Sequence, residues 1–263
     1  MDLIEPLINA FHAEGRPRVW SLVVTIFGDA VQHRGGRIAT LHLQELLERV
    51  GIEAGALRTA LSRLTSDGWV LRDREGRNSF YRLSKSGQAE ITQAAADIYA
   101  APRDGKVAQW VMARGRNAPA KGISVAPHLW LVPADRATDM PDHICLTGTL
   151  TSFPEPARER VLTADHRAAL KALADDVAAL KDLTLSPLDA MATRMLLIHR
   201  WRRIVLRFPD IPAELMPADA EILNPRQMIA NAYRALIPAS EKWLGTGDET
   251  PPPDSHEFAR RFS

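Results

Sequence analysis

The feature that most constrains this chain is a change of periodicity between Leu41 and Leu83. Apolar residues first recur at helical spacing in two short segments, with a turn between them. The pattern then changes to two short stretches of aromatic and branched residues, which is typical of β-strands. The segment therefore predicts two helices followed by a β-hairpin, and the rest of the chain is interpreted around that order.

The two predicted helices differ in what they present. The apolar face of the first helix consists of Leu43, Leu46, Leu47 and Val50. The apolar face of the second consists of Leu57, Ala60, Leu61 and Leu64. The opposite face of the second helix carries the polar residues Arg58, Thr59, Ser62 and Arg63. Trp69–Asp73 and Ser79–Leu83 are the predicted strands, with a loop over 74–78. This order is that of a winged helix-turn-helix.

The charge of this segment is positive although the chain as a whole carries only +1. Between Ala54 and Lys85 seven basic residues face three acidic ones, while residues 1–100 carry twelve of each. A local positive patch is the electrostatic footprint of a nucleic-acid site, and arginine can bind guanine with two hydrogen bonds. The predicted DNA-binding residues are Arg58, Thr59, Ser62, Arg63, Arg74, Arg77 and Asn78. The alternative is a solvated helix in an ordinary helical domain.

Breaks in composition divide the chain into segments. Residues 18–101 form the predicted winged helix domain, with Val19–Val31 as its first helix and Pro102 after its last. Residues 103–160 are predicted to form a small α+β domain with three strands, although 114–125 is too rich in Gly and Pro to favour a helix. Residues 163–244 are predicted to be helical. Residues 245–263 contain three consecutive prolines and are predicted to be a flexible tail.

Catalytic and metal-binding motifs are absent from the sequence, which has no GxGxxG, GxxxxGK[ST], GxSxG or HExxH. Cys145 is the only cysteine, so neither an intramolecular disulfide nor a cysteine-rich zinc site is expected. No apolar run is long enough to span a membrane. We expect a cytoplasmic protein that is not an enzyme and has no cofactor or metal ligands.

A second group of basic residues lies on the predicted helix from Pro187 to Phe208. Arginine and histidine can hold phosphate groups through charge-assisted hydrogen bonds. The candidate effector-binding residues are Arg194, His199, Trp201, Arg202 and Arg203. The alternative is that these arginines tie the C-terminal helices to the other domains, because ion pairing within the protein is the commoner use of such residues.

Three segments together resemble the PaaX family of bacterial transcriptional regulators. They are SLVVTIFGDAVQHRGGRI, LRTALSRLTSDGWVLRDREGRNSFYRLS and LLIHRWRRIVLRFPDIPAELMPAD, and DIYAAP and YRALIPASEKWL also fit. The resemblance covers about Arg18 to Leu244. It implies an N-terminal winged helix, a ferredoxin-like middle domain similar to Cas2 proteins, and a helical C-terminal domain. The segment 114–125 departs from this pattern, because that fold has its first crossover helix there.

The resemblance also implies a function. The family is typified by dimeric repressors of phenylacetate catabolic operons whose inducer is phenylacetyl-coenzyme A. For this chain it implies a homodimer that binds an inverted-repeat operator in double-stranded DNA and is released by an acyl-CoA thioester. One alternative is a Cas2-like metal nuclease, although the strand candidate KVAQWVMARGR carries no carboxylate for a cation. Another is a DNA-binding regulator without an effector.

Overall fold

The computed structural model describes residues 2–246 and 255–263. The helices of this described part are α1 (Glu5–Ala13), α2 (Val19–Ile26), α3 (Thr40–Arg49), α4 (Ala54–Ser66), α5 (Lys85–Ile98), α6 (Glu155–Val161), α7 (Ala164–Ala178), α8 (Pro187–Val205), α9 (Pro225–Leu244) and α10 (Ser255–Ala259). The strands are β1 (Arg37–Ala39), β2 (Val70–Glu75), β3 (Asn78–Leu83), β4 (Trp110–Arg114), β5 (Ile123–Ala126), β6 (Leu129–Pro133) and β7 (Ile144–Gly148). The protein is thus mixed α and β, with two small antiparallel sheets.

The chain forms two compact units. The first comprises residues 1–101, 175–203 and 228–263, and the second comprises residues 102–174 and 204–227. The segment 163–244, which the sequence predicts as one helical domain, therefore contributes residues to both units. Side chains cap two of its helices: the Ser186 hydroxyl accepts from the amide of Asp189 ahead of α8, and the Asn224 side chain accepts from the amide of Gln227 at the start of α9.

The first unit is built around the segment from Leu41 to Leu83. Its sheet has the order β1-β3-β2. The predicted apolar faces of α3 and α4 are buried in one core together with α2, whose last turn continues as a π-helical turn from Phe27 to Val31. The α8 residues Met191, Met195 and Leu196 belong to the same core. This packing fixes which face of α4 remains at the surface.

The hairpin differs from the prediction in the length of its loop. Glu75 pairs with Asn78, so the strands extend further than expected and the turn consists of Gly76 and Arg77 alone. Gly76 has a φ of 59°, a conformation that a residue without a Cβ adopts without strain. Asn78 therefore lies on a strand, and Arg77 lies at the tip of the hairpin.

The sheet of the second unit has the order β5-β6-β4-β7, and every neighbouring pair is antiparallel. A ferredoxin-like sheet is built from two split βαβ units, in which another strand lies between the two parallel strands, so all neighbouring strands are antiparallel. The order and the directions of the four strands agree with such a sheet. The connection 115–122 between β4 and β5 contains no helix, as its glycine and proline content indicated, and the full Cas2-like arrangement stays a prediction.

The end of the chain does not behave as the expected flexible tail. Part of that tail, 247–254, lies outside the described residues. Beyond it, Arg261 and Phe262 are buried, and the amide of Phe262 donates to the carbonyl of Tyr99 at 2.8 Å. The buried Phe262 side chain and the Arg261 guanidinium anchor this end, although the proline-rich stretch before them dominates the composition of 245–263.

No helix within residues 2–246 and 255–263 is both long enough and apolar enough to cross a lipid bilayer.

Candidate nucleic-acid interface

The polar face of α4 is at the surface. Leu57, Leu61 and Leu64 are almost fully buried. Because residues three and four apart share a helix face, this burial turns the other side of α4 outward. All four of the residues predicted to contact DNA from this helix are exposed: Arg58, Thr59, Ser62 and Arg63. The sequence pattern therefore identified the orientation of α4 as well as its existence.

A groove of about 780 Å³ separates α4 from the β2–β3 hairpin. It brings together four of the predicted residues, namely Arg58, Ser62, Arg77 and Asn78. The groove residues that were not predicted to bind DNA are Ala39, Thr40, Leu41, Leu61, Thr65, Ser66, Arg72, Ser79 and Tyr81. None of these described lining residues is acidic. The groove is therefore a cationic surface lined with hydroxyl groups, which suits phosphates and base edges.

Three predicted DNA-binding residues lie outside the groove. The hydroxyl of Thr59 donates to the Gly55 carbonyl at 3.1 Å, and Arg63 lies 3.4 Å from the carboxylate of Asp67. Arg74 is exposed on β2 beside the turn. Thr59 and Arg63 flank the groove on the same surface of α4, so the structure divides the predicted set into a groove group and a flanking group.

The arginines of the hairpin and of the neighbouring β1 and α4 fall into two groups, those that pair with a carboxylate and those that do not. Arg82 pairs with Asp73 at 2.9 Å, and Arg37 pairs with Glu75 at 2.6 Å. The hydrogen bond from Arg37 holds the pKa of Glu75 below its usual value. Arg58, Arg74 and Arg77 have no carboxylate partner in the described part of the chain. These three cations are available to an anionic partner such as the DNA backbone.

Thr65 and Arg72 line the groove, although they were not among the predicted DNA-binding residues. Thr65 follows Arg58 and Ser62 at helical spacing, so the pattern places it on the same surface. Arg72 pairs with Tyr81 in the hairpin register, and its guanidinium donates to the Ser79 hydroxyl at 2.7 Å. Leu41, with 72% of its surface exposed, gave no sequence signal because its apolar character suggested burial.

The candidate effector residues on α8 have a different environment. Arg194 is fully buried, donating from Nε to Asp29 Oδ2 at 2.7 Å and from Nη1 to Glu241 Oε1 at 2.6 Å. Burial alone would lower the pKa of Arg194, but Asp29, Tyr233 and Glu241 raise it above the ordinary arginine value. Arg194 is therefore a charged group inside the first unit and has no surface to offer a ligand.

The other four candidates also have partners within the first unit. His199 Nδ1 lies 3.0 Å from Thr25 Oγ1, and burial, with the neighbouring arginines, lowers its pKa to about 3. Trp201 is buried and donates to the Ile98 carbonyl at 2.8 Å. Arg202 donates to Thr25 Oγ1 at 2.9 Å, and the exposed Arg203 pairs with Glu14 at 2.7 Å.

The five side chains therefore do not converge on one open pocket. They hold α8 against residues from the first hundred positions, which is the alternative that the sequence left open. His199 is moreover neutral near pH 7, so it adds no charge for a phosphate. The partners Glu14, Thr25 and Asp29 lie far from α8 in the sequence, and only the fold brings them into contact with it.

One group of three carboxylates, Glu155, Glu159 and Asp219, lies close enough together to share a cation. All three are exposed, and Arg167 already pairs with Glu159 and Asp219 at 3.1 and 3.0 Å. The strand β4, on which a Cas2-like nuclease would need an acidic ligand, carries none. The described residues thus give the nuclease alternative no support.

Comparisons with known proteins show which family this chain resembles. Residues 18–87 match the family described as "PaaX-like protein", and residues 160–246 match "PaaX-like protein C-terminal domain". The chain is 29% identical to "Transcriptional repressor PaaX" from Escherichia coli strain K12, over 98% of this chain and 93% of that protein.

Among solved structures, the chain resembles "Uncharacterized protein Rv0674 from Mycobacterium tuberculosis" with a TM-score of 0.57 and 20% identity. The match covers 86% of this chain and 97% of that one, and it concerns the fold alone. The first family match covers the segment with the groove, and the second covers the segment that contains α7, α8 and α9. The chain belongs to the PaaX family of transcriptional regulators.

Proposed function

We propose that this protein is a DNA-binding transcriptional repressor whose first hundred residues act as a winged helix-turn-helix. The observation that carries the proposal is the groove between α4 and the hairpin, where Arg58 and Arg77 stand beside hydroxyl groups without a carboxylate to neutralise them. Membership of the family supports it, since the relative in Escherichia coli is named a transcriptional repressor. A family of transcriptional regulators also supports the expectation that the chain is not an enzyme.

In this proposal α4 enters the major groove. Arg58 and Ser62 are one helical turn apart and line the same groove, so both reach base edges. Thr59 and Arg63 flank them and contact the adjacent phosphates. Arg77 at the tip of the hairpin, Asn78 at the start of β3 and Arg74 on β2 lie against the DNA backbone or in the minor groove. Phosphate contacts fix the position of the protein, and base contacts provide the specificity.

The test is binding of the purified protein to the DNA upstream of its own gene and of neighbouring catabolic genes, measured by fluorescence anisotropy at fixed salt. We expect Arg58→Ala to weaken specific binding. Arg116→Ala is the matched control, because Arg116 is an exposed arginine of the second unit. Equal losses in both variants, or no loss in either, would contradict a reading role for α4.

We also propose that the repressor is a homodimer that binds an inverted repeat. The edge strand β7 supports this: all five of its residues are exposed, including Ile144 at 72% and Leu146 at 67%. An exposed apolar edge strand without charges is a template for pairing with another chain. The sequence Ile144–Gly148 carries no charge, so two copies can pair antiparallel without repulsion.

The single cysteine provides the test of this interface. Cys145 is exposed on β7, and antiparallel pairing of two copies of β7 brings the two thiols into proximity. We expect a short bismaleimide to cross-link the protein into covalent dimers, and Leu146→Lys to abolish the cross-link and the dimer in sedimentation experiments. Cys145→Ser is the control for the chemistry. A dimer that persists in Leu146→Lys would place the interface elsewhere.

The regulation that we propose is release from the operator by an acyl-CoA thioester, with phenylacetyl-CoA as the first candidate and a phenylacetate or related aromatic-acid operon as the target. The effector must bind the DNA-free state more tightly than the DNA-bound state, because only unequal affinity shifts an equilibrium. We expect phenylacetyl-CoA to release the protein from DNA and phenylacetate to have no effect. Release by neither compound would favour a regulator with another effector or with none.

A further inference from the structure

A second cavity lies in the first unit, away from the groove. It has a volume of about 260 Å³ and is bounded by three parts of the chain: α5, the π-helical turn that precedes β1, and the C-terminal segment that begins at Ser255. Two of these parts belong to the predicted winged helix domain. The third ends in the buried residues Arg261 and Phe262.

The lining of this cavity is apolar on one side and charged on the other. Ile91, Ala95 and Ala96 of α5 form the apolar side together with the Tyr99 ring. The charged side contains Arg260 and Arg261 together with Glu257, whose carboxylate lies 3.7 Å from His33 Nδ1. Apolar walls with a few convergent polar groups are typical of small-molecule sites.

Arg260 and Arg261 differ in their burial and in the partners that their guanidinium groups have. Arg261 is buried and donates to Asp29 Oδ1 at 3.0 Å and to Tyr233 at 2.6 Å, while its Nε has no hydrogen-bond partner. Such an unsatisfied buried donor costs free energy. Arg260 is exposed and has no acidic partner within residues 2–246 and 255–263. The cavity therefore has one cation at its rim and one incompletely bonded cation in its wall.

The size of the cavity limits what it can hold. At about 260 Å³ it lies just below the range of sites for drug-sized ligands, roughly 300–1,000 Å³. That volume accommodates a ring or a short acyl chain, and it excludes a whole coenzyme A. The bulk of such a ligand would have to remain outside, on the side of Arg260.

We propose that this cavity binds the acyl group of the effector and that Arg260 contacts a phosphate of the coenzyme outside it. The proposal rests on the thioester response that we propose for this protein, and it adds the location of the site. It replaces the α8 cluster, whose side chains have partners within the protein.

The location also explains how binding would reach the DNA-binding elements. Arg261 contacts both the cavity and Asp29, and Asp29 lies in the turn that continues α2. The α2 helix packs in the same core as α3 and α4. An acyl group between α5 and the C-terminal segment therefore acts on the buried charges that hold this turn, and through them on the position of α4.

Two variants with matched controls test the site by isothermal titration with phenylacetyl-CoA and with free coenzyme A. Ala96→Leu narrows the cavity, and Gln93→Leu makes a leucine at an exposed position of α5 that does not line it. Arg260→Gln removes the rim cation, and Arg116→Gln removes an exposed arginine elsewhere. Thermal melts establish that each variant folds.

The two variants are expected to fail in different ways. Ala96→Leu should weaken phenylacetyl-CoA roughly tenfold, which corresponds to about 1.4 kcal/mol, and leave free coenzyme A unchanged. Arg260→Gln should weaken both compounds by a similar factor, because both carry the phosphates. Gln93→Leu and Arg116→Gln should bind like the parent protein.

The outcomes also separate this inference from the function on which it rests. If the parent protein binds phenylacetyl-CoA and all four variants bind it equally well, the cavity is not the site, while the thioester response stands. If the parent protein binds no thioester at millimolar concentration, the thioester response itself is refuted, and the acyl site with it.

Discussion

Helices α4 and α8 both carry several arginines, and the fold uses them in opposite ways. On α4 and the adjoining hairpin, Arg58, Arg74 and Arg77 are exposed and have no carboxylate partner among the described residues. On α8, Arg194 is fully buried between Asp29 and Glu241. The first group is available to DNA, and the second is part of the structure.

The difference lies in the partners. Three acidic residues lie near α4 in the sequence, and each forms an ion pair: Asp67 with Arg63, Asp73 with Arg82 and Glu75 with Arg37. This pairing leaves the remaining cations of the groove unneutralised. The partners of α8 come from distant positions, so its charge is neutralised only in the folded chain. An arginine-rich pattern thus indicates a binding site only where the fold supplies no acid.

The largest effect is expected at the buried pair. Arg194→Ala removes one of the two guanidinium groups that pair with the buried Asp29 carboxylate, and it also removes a partner of Glu241, so it should lower the free energy of unfolding by about 3–5 kcal/mol. Urea denaturation measures this change. Arg203→Ala is the control on the same helix, because Arg203 is 58% exposed and its pair with Glu14 should contribute at most about 1 kcal/mol. Equal losses in the two variants would contradict the distinction between buried and surface arginines on α8.

The next effect concerns the reading helix. Arg58→Ala should weaken operator binding by about 1–3 kcal/mol if the side chain reads a base, and it should leave stability unchanged. Arg63→Ala should have the smaller effect of the two, because Arg63 lies outside the groove and pairs with Asp67 at 3.4 Å. Fluorescence anisotropy at one salt concentration compares them. A larger loss for Arg63→Ala would reverse the assignment of groove and flank.

A smaller effect is expected on lowering the pH. Burial lowers the pKa of His199 from 6.5 to about 3, so the unfolded chain binds this proton more readily than the folded one. The free energy of unfolding should therefore decrease as the pH falls below 6.5, by up to about 2 kcal/mol at pH 5. His199→Gln removes the titrating group and should flatten this part of the profile. An unchanged profile in His199→Gln would mean that the loss on acidification has another source, such as the buried His166.

The smallest effect is expected at the hairpin. The double variant Arg74→Ala/Arg77→Ala should weaken specific and non-specific DNA alike, since phosphate contacts carry no sequence information. The slope of log K against log salt should become shallower by about 0.9 for each phosphate that the variant no longer neutralises. Titrations at several salt concentrations give this slope. A double variant with the parental slope would remove the hairpin from the interface.

Local periodicity predicted much of the first unit. The apolar faces of α3 and α4 and the strands of the hairpin all depend on residues close together in the sequence. The same holds for the exposed orientation of Arg58 and Ser62. These features could be predicted because one turn of helix or one strand register decides them.

The errors concern contacts between distant parts of the chain. Nothing near Arg194 in the sequence indicates Asp29, which is 165 positions away. The composition of 245–263 indicated a tail, but Arg261 finds Asp29 and Tyr233 in the interior. By contrast, local composition did indicate that the connection 115–122 between β4 and β5 contains no helix.

The central claim is that the arginines of α4 bind DNA and that the arginines of α8 stabilise the folded chain. The most direct test measures operator affinity and the free energy of unfolding for both Arg58→Ala and Arg194→Ala. The account predicts that Arg58→Ala loses operator affinity at parental stability, whereas Arg194→Ala loses stability. Parental operator affinity in Arg58→Ala, together with parental stability in Arg194→Ala, would contradict it.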